Sequence, residues 1–148
     1  MLLLNNLQQL CIEKGVSVAV AESCTAGVIA SKLATLSGSS SSFIGGVVAY
    51  HNQIKLHILV VSQSIIDEKT EVSAEVVKQM AKSVLEKFEA DFAIATSGYA
   101  GPSGGTNKNP IGTVFIAIAS VAGIVASRFT FSGSRQSIVN QSSEIALD

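Results

Sequence analysis

Short apolar runs alternate with stretches of helical periodicity along the chain. The runs at 16–21, 43–50 and 91–97 are continuous in hydrophobicity, which is typical of strands buried on both faces. Helical spacing separates them, most clearly after Ser73, which has the character of an N-cap. This alternation predicts an α/β fold: a three-layer α/β/α sandwich with a mixed, mostly parallel sheet, built by residues 1–148 as a single domain.

A long charge-free segment, 109–127, follows the third of these runs. Its length approaches that of a transmembrane helix, so a membrane span is one interpretation. The segment is rich in β-branched residues, contains Gly112 and Gly123, and is followed by Arg128. These features favour two buried strands joined as a hairpin at 121–123.

Composition narrows the class of protein. Hydrophobic residues make up 47% of the 148 residues, charged residues 14%, and the net charge is −1. The chain therefore lacks the basic excess of a nucleic-acid-binding protein and the polar composition of a disordered one. The N-terminal segment does not have the pattern of a secretory signal. Two cysteines, Cys11 and Cys24, fit no metal-ligand spacing, so we expect free thiols, no metal and a cytoplasmic protein without membrane or nucleic-acid partners.

The first candidate for chemistry is the segment 22–27, where a strand ends and a helix is expected to begin. Ser23 would present its hydroxyl above the sheet, with helix N–H groups available to stabilise an oxyanion. The alternative is that this serine is an ordinary N-cap residue. A second alternative makes Cys24 the nucleophile with His51 as its base, since a helix N-terminus lowers a thiol pKa.

Two further segments carry candidate groups. Lys55 follows Tyr50 just beyond a predicted strand and could act as a general base if burial lowers its pKa; otherwise it is a solvated helix lysine. The glycine-rich loop 97–106 could bind a phosphate through its backbone N–H groups, or could be only a flexible connection. It matches neither a P-loop nor a dinucleotide-binding fingerprint.

Together these segments resemble the C-terminal domain family of CinA, the nicotinamide-nucleotide amidase family. The family pattern E-S-C-T-G-G corresponds to 22–27, and G-G-V-V-A-Y-x-N-x-x-K corresponds to 45–55 in full. The pattern T-G-I-A-G-P-x-G-G-T corresponds to 97–106, K-P-x-G-T-V to 109–114 and F-x-G-x-R to 131–135. The resemblance covers essentially the whole chain.

The resemblance implies hydrolysis of the carboxamide of nicotinamide mononucleotide (NMN) to nicotinic acid mononucleotide and ammonia. It implies Ser23 as the nucleophile, assisted by Lys55 and Tyr50, with no cofactor and no metal. The Lys55 amine is then expected within hydrogen-bond reach of the Ser23 hydroxyl, directly or through one water. A homodimer or larger homo-oligomer is also expected. The residues expected to bind substrate are Cys24, Thr25, Asn52, Ser97, Gly101, Gly104, Gly105, Thr106 and Arg135.

Ala26 replaces a glycine of the family pattern, Ser97 a threonine, Tyr99 an isoleucine and Asn109 a lysine. An alanine at position 26 is harmless at negative φ and unfavourable at positive φ. Two other functions stay open: a non-catalytic nucleotide-binding or regulatory module that keeps the pocket, and an amidase for a different amide. Full-length relatives carry an additional N-terminal domain, and the length of this chain predicts the stand-alone form.

Overall fold

A computed structural model describes residues 1–148 of the chain. Five strands form one sheet: β1 (Val18–Glu22), β2 (Phe43–Val48), β3 (Phe92–Gly98), β4 (Thr113–Ser120) and β5 (Gly123–Thr130). Six α-helices surround it: α1 (Leu2–Lys14), α2 (Val28–Thr35), α3 (Asn52–His57), α4 (Gln63–Lys69), α5 (Ala74–Lys87) and α6 (Arg135–Leu147). A 3₁₀ turn at Ser39–Ser41 leads into β2.

The sheet is mixed, with the strand order β2-β1-β3-β4-β5. The first strand pairs in parallel with β2 on one side and β3 on the other. The fourth strand is antiparallel to both β3 and β5. Four of the five strands therefore share one direction, and the carboxyl ends of β1, β2 and β3 meet at the same edge. The predicted mixed, mostly parallel α/β sheet is confirmed.

The two faces of the sheet differ in side-chain size. One face of β1, β3 and β4 consists largely of alanines, against which α5 packs. Its larger side chains, including Val77, Met80 and Val84, fill the space that the alanines leave. The opposite face presents Val20 and Ile94 among its branched residues to the layer of α1, α2 and α6. The α/β/α layering thus follows from the alternation of small and branched residues along the strands.

Several local predictions are confirmed. The Ser73 hydroxyl caps α5 by accepting a hydrogen bond from the Val76 N–H at 3.2 Å. The segment 109–127 contributes to the β4–β5 hairpin, so the transmembrane interpretation is wrong for it. None of the helices in the chain combines the length and the apolar character needed to cross a membrane.

Two local predictions need correction. The hairpin was expected to contain two buried strands, but only β4 is buried. The fifth strand lies at the edge of the sheet and alternates between exposed and half-buried residues, with Val125 67% exposed. Helix α4 was not predicted, because its short sequence is mostly polar and buries only Ile66.

The Glu22 carboxylate, fully buried at the end of β1, fixes the connection from β1 to α2. One oxygen accepts hydrogen bonds from the Thr25 hydroxyl at 2.6 Å, the Gly27 N–H at 3.0 Å and the Ile29 N–H at 3.1 Å. The other oxygen accepts from the Ala30 N–H at 2.7 Å. The carboxylate therefore satisfies N–H groups at the start of α2 and interacts favourably with the helix dipole.

We predict that Glu22→Gln lowers the free energy of unfolding by about 2–4 kcal/mol, because the amide NH₂ would face N–H donors in a buried site. Urea denaturation at pH 7 measures the change. Glu13→Gln, on the exposed surface of α1, is the matched control and should change stability by less than about 0.5 kcal/mol. Equal stabilities of the Glu22 variant and the control would contradict the role of this carboxylate.

Candidate active site

A cavity of about 360 Å³ lies at the sheet edge where the parallel strands β1, β2 and β3 end. Such an edge is the usual ligand site of an open α/β sheet. The cavity brings together most of the predicted site residues: Ser23, Cys24, Tyr50, Asn52, Lys55, Ser97, Gly101 and Arg135. Segments far apart in sequence therefore converge on one site.

Ser23 lines this cavity immediately after β1 and is 7% exposed. Its N–H donates to the Thr96 carbonyl at 3.0 Å, and its carbonyl accepts from the Ala26 N–H at 3.1 Å. These two bonds hold the backbone on both sides of the side chain. The hydroxyl has no hydrogen-bond partner in the protein, and its oxygen is accessible to solvent. It is consequently free to react with a molecule in the cavity.

Lys55 reaches the same cavity from α3, and its side chain is almost fully buried, with 1% exposure. Its Nζ donates to the Tyr50 carbonyl at 3.4 Å and forms no ion pair. Burial lowers the pKa of the amine, while the charges of Glu71 and Cys24 oppose this shift. Desolvation thus favours the neutral amine that a general base needs. The solvated-lysine alternative is wrong for Lys55. The amine and the Ser23 hydroxyl form no direct hydrogen bond in the unliganded structure.

The Cys24 thiol is unsuited to act as the nucleophile. Burial raises its pKa to about 12, the opposite of the lowered value that a thiolate nucleophile requires. His51 lines the cavity, but its Nδ1 accepts the Gln53 N–H at 3.2 Å and caps α3. The Cys24 N–H, in contrast, donates to no oxygen of the protein and is available beside Ser23.

The N–H groups at the start of α2 are not free, which corrects one expectation from the sequence. Those of Gly27, Ile29 and Ala30 donate to the Glu22 carboxylate. The N–H groups beside Ser23 that donate to no oxygen of the protein are those of Cys24 and Thr25, in the turn that precedes the helix.

Arg135, the first residue of α6, connects the two sides of the cavity entrance. Its Nη1 donates to the Gly101 carbonyl and its Nη2 donates to the Tyr50 hydroxyl, both at 2.7 Å. Tyr50 is 56% exposed, and its phenol contacts this guanidinium rather than Lys55 or Ser23. The guanidinium thus fixes the phenol and the glycine-rich loop relative to each other.

Four predicted substrate-binding residues do not line the cavity. Thr25 is fully buried beneath it, where its hydroxyl bonds Glu22 and the Thr96 hydroxyl. Gly104 and Gly105 lie outside the lining. Thr106 also lies outside, and its N–H and hydroxyl close a turn with Asn109. Of the glycines expected to bind phosphate, only Gly101 borders the site.

Glu71 lines the cavity although no sequence pattern indicated it. It precedes the cap of α5 and follows the helix α4 that was not predicted. Its carbonyl accepts the Ser97 hydroxyl at 2.7 Å, while its carboxylate forms no ion pair. Tyr99, which departs from the family pattern, lines the cavity as well. No group of three or more His, Cys, Asp or Glu side chains is arranged to hold a metal ion.

Comparison with known proteins identifies the family. The sequence profile of the CinA C-terminal domain matches residues 2–148. The chain belongs to the CinA C-terminal domain family. A CinA-like protein of Desulfotalea psychrophila is 44% identical over 140 residues, which is 95% of this chain and 34% of that protein. The chain therefore spans about a third of the length of such curated relatives.

Solved structures of the CinA superfamily share the fold. A competence damage-inducible protein A from Klebsiella pneumoniae superimposes with a TM-score of 0.95 at 32% identity, covering 98% of this chain and 90% of that one. The competence/damage inducible protein CihA from Agrobacterium tumefaciens gives a TM-score of 0.91 at 32% identity, with coverages of 98% and 92%. The sheet, including the edge that borders the cavity, is therefore shared with these CinA superfamily structures.

Ala26, where the CinA motif has a glycine, has a positive φ of 48°. A side chain in this left-handed region is strained by roughly 1–2 kcal/mol, whereas glycine adopts it freely. The residue is exposed and lies between Ser23 and α2, so the departure stores strain beside Ser23.

We predict that Ala26→Gly raises the free energy of unfolding by about 0.5–1 kcal/mol, because relief of this strain exceeds the entropy that glycine adds to the unfolded chain. Chemical denaturation measures the change. The control is Ala34→Gly, at an exposed position inside α2, which should lose about 1 kcal/mol. A loss of stability in both variants would show that Ala26 is unstrained.

Proposed function

We propose that this CinA domain is an amidohydrolase that converts NMN to nicotinic acid mononucleotide and ammonia. The observation that carries the proposal is the convergence of an unbonded Ser23 hydroxyl and a buried Lys55 amine on one cavity at the ends of the parallel strands. A serine and a desolvated lysine form a nucleophile and base of the kind used in acyl transfer. The family resemblance supplies the choice of NMN.

The proposed reaction begins when the neutral Lys55 amine takes the proton of the Ser23 hydroxyl, whose oxygen attacks the carboxamide carbon. The Cys24 N–H is placed to donate to the oxyanion of the tetrahedral intermediate. Lys55 then gives its proton to the leaving nitrogen, the C–N bond breaks, and ammonia departs. The same amine then takes a proton from water, the resulting hydroxide attacks the ester on Ser23, and the proton passes to the serine oxygen as the ester C–O bond breaks and the carboxylate product leaves. Acylation requires the amine and the Ser23 hydroxyl to approach to hydrogen-bond distance in the complex, directly or through one water, and deacylation requires the amine to reach the attacking water.

Arg135 is proposed to bind the phosphate of the nucleotide. Its two hydrogen bonds to Gly101 and Tyr50 leave further guanidinium N–H donors free. A guanidinium fixed by two bonds meets a phosphate with little loss of side-chain entropy. Tyr50 would then act by holding this guanidinium and by supplying the carbonyl that orients the Lys55 amine.

We predict that the protein releases ammonia from NMN and that Ser23→Ala lowers kcat by about 10⁴-fold or more, because the variant lacks the nucleophile. Coupled ammonia detection measures the rate. Ser31→Ala, at an exposed position in α2, is the control and should keep the wild-type rate. Binding of NMN by calorimetry without any turnover would favour the non-catalytic nucleotide-binding module instead.

The lowered Lys55 pKa predicts a pH dependence of activity. Only the neutral amine accepts the serine proton, so kcat/KM should rise with pH through the pKa of Lys55, which lies below its ordinary value of 10.5. A rate profile over pH 6–10 in a buffer of constant ionic strength tests this. A profile that falls with rising pH would contradict a lysine base.

The lowered pKa of Lys55 also predicts that the free energy of unfolding depends on pH. Below the pKa that Lys55 has in the folded protein, the amine is protonated in both the folded and the unfolded protein. The folded protein then bears the full cost of desolvating the ammonium. Between that pKa and 10.5 the unfolded state binds more protons, so stability contributed by this site rises with pH. Lys55→Met should therefore be more stable than wild type at pH 7, with a difference that narrows as pH rises. A constant difference across the pH range would contradict a lowered pKa.

A further inference from the structure

Glu71 is the single acidic residue among those that line the cavity, which also contains two basic residues, Lys55 and Arg135. The carboxylate makes no ion pair with either cation and accepts no hydrogen bond. Its backbone is held in place, because the carbonyl accepts the buried Ser97 hydroxyl at 2.7 Å. The side chain thus borders the site with its charge uncompensated by a bonded partner.

This carboxylate has no structural task that explains its position. Acids that stabilise a fold cap a helix or pair with a base, as the buried Glu22 does for α2. Ser73, and not Glu71, caps the adjacent helix α5. For the chemistry at Lys55 the negative charge is unfavourable, since it opposes the loss of the ammonium proton. A ligand that carries a positive charge would compensate it.

We propose that Glu71 is a specificity-determining residue that selects a cationic ring in the substrate, here the N1-substituted pyridinium of NMN; this rests on the proposed function. The positive charges of Arg135 and of protonated Lys55 would repel a pyridinium, and the carboxylate offsets that repulsion. The pyridinium in turn neutralises the charge that retains the ammonium proton on Lys55. Binding of a pyridinium substrate therefore favours the neutral form of Lys55, whereas a neutral ligand does not.

The test compares ligands that differ in ring charge. Binding to a Ser23→Ala protein, which cannot consume the ligand, is measured by calorimetry for NMN and for its dihydro form, which has the same phosphate and amide but a neutral ring. N1-methylnicotinamide and nicotinamide form a second pair, cationic and neutral, without a phosphate. We expect Glu71→Gln to weaken binding of both cations about fivefold and to leave both neutral ligands within twofold.

Two controls separate selectivity from structure. Glu75→Gln removes the same charge from an exposed position in the first turn of α5 and should change none of the four affinities. Glu71→Asp keeps the charge and should restore most of the preference for the cations. Equal weakening of cationic and neutral ligands by Glu71→Gln, no weakening at all, or binding of neither member of a pair would overturn the assignment.

The two proposals fail in different ways. If NMN is hydrolysed but ring charge does not affect affinity, the amidase stands and the role of Glu71 is wrong. If N1-methylnicotinamide binds in preference to nicotinamide through Glu71 while NMN is not hydrolysed, the cation site stands and the amidase is wrong.

Discussion

A buried carboxylate at the end of β1 governs the geometry of the whole site. Glu22 is completely shielded from water, and such a charge is tolerated only when hydrogen-bond donors surround it. Its four donors come from Thr25 and the start of α2, so the chain between them adopts one conformation. Ser23, the residue next to Glu22, is thereby held where its hydroxyl opens into the cavity.

The same interaction determines what the helix can do for chemistry. Helix N-termini often bind phosphates or oxyanions through unpaired N–H groups. In this domain the carboxylate of Glu22 occupies that position, so the first N–H groups of α2 hold the turn that carries Ser23 and are not available to an anion. Beside Ser23, the Cys24 and Thr25 N–H groups donate to no oxygen of the protein, and Arg135 presents a cation at the entrance of the cavity.

Sequence reasoning reached the fold and the centre of the site because both depend on local signals. Continuous apolar runs identified the strands, and the motif containing Ser23 ends β1, where parallel topology gathers the functional side chains. It failed where position depends on tertiary packing. The glycine-rich loop folds into its own turn through Thr106, so Gly104 and Gly105 lie outside the cavity. The role of Glu22 was also missed, because an acid followed by a serine does not reveal which donors surround it.

The charges around the cavity explain why Glu71, which opposes the loss of the Lys55 proton, is compatible with the site. A neutral lysine is obtained by burial, and burial alone acts on Lys55 whether or not a ligand is present. The charge of Glu71 opposes that effect and favours the protonated, less reactive form of the amine. A cationic ligand removes this opposition when it binds, whereas a neutral amide leaves it unchanged. Discrimination between cationic and neutral ligands would then appear in the rate of the chemical step as well as in binding affinity, because only a cationic ligand favours the neutral amine of Lys55.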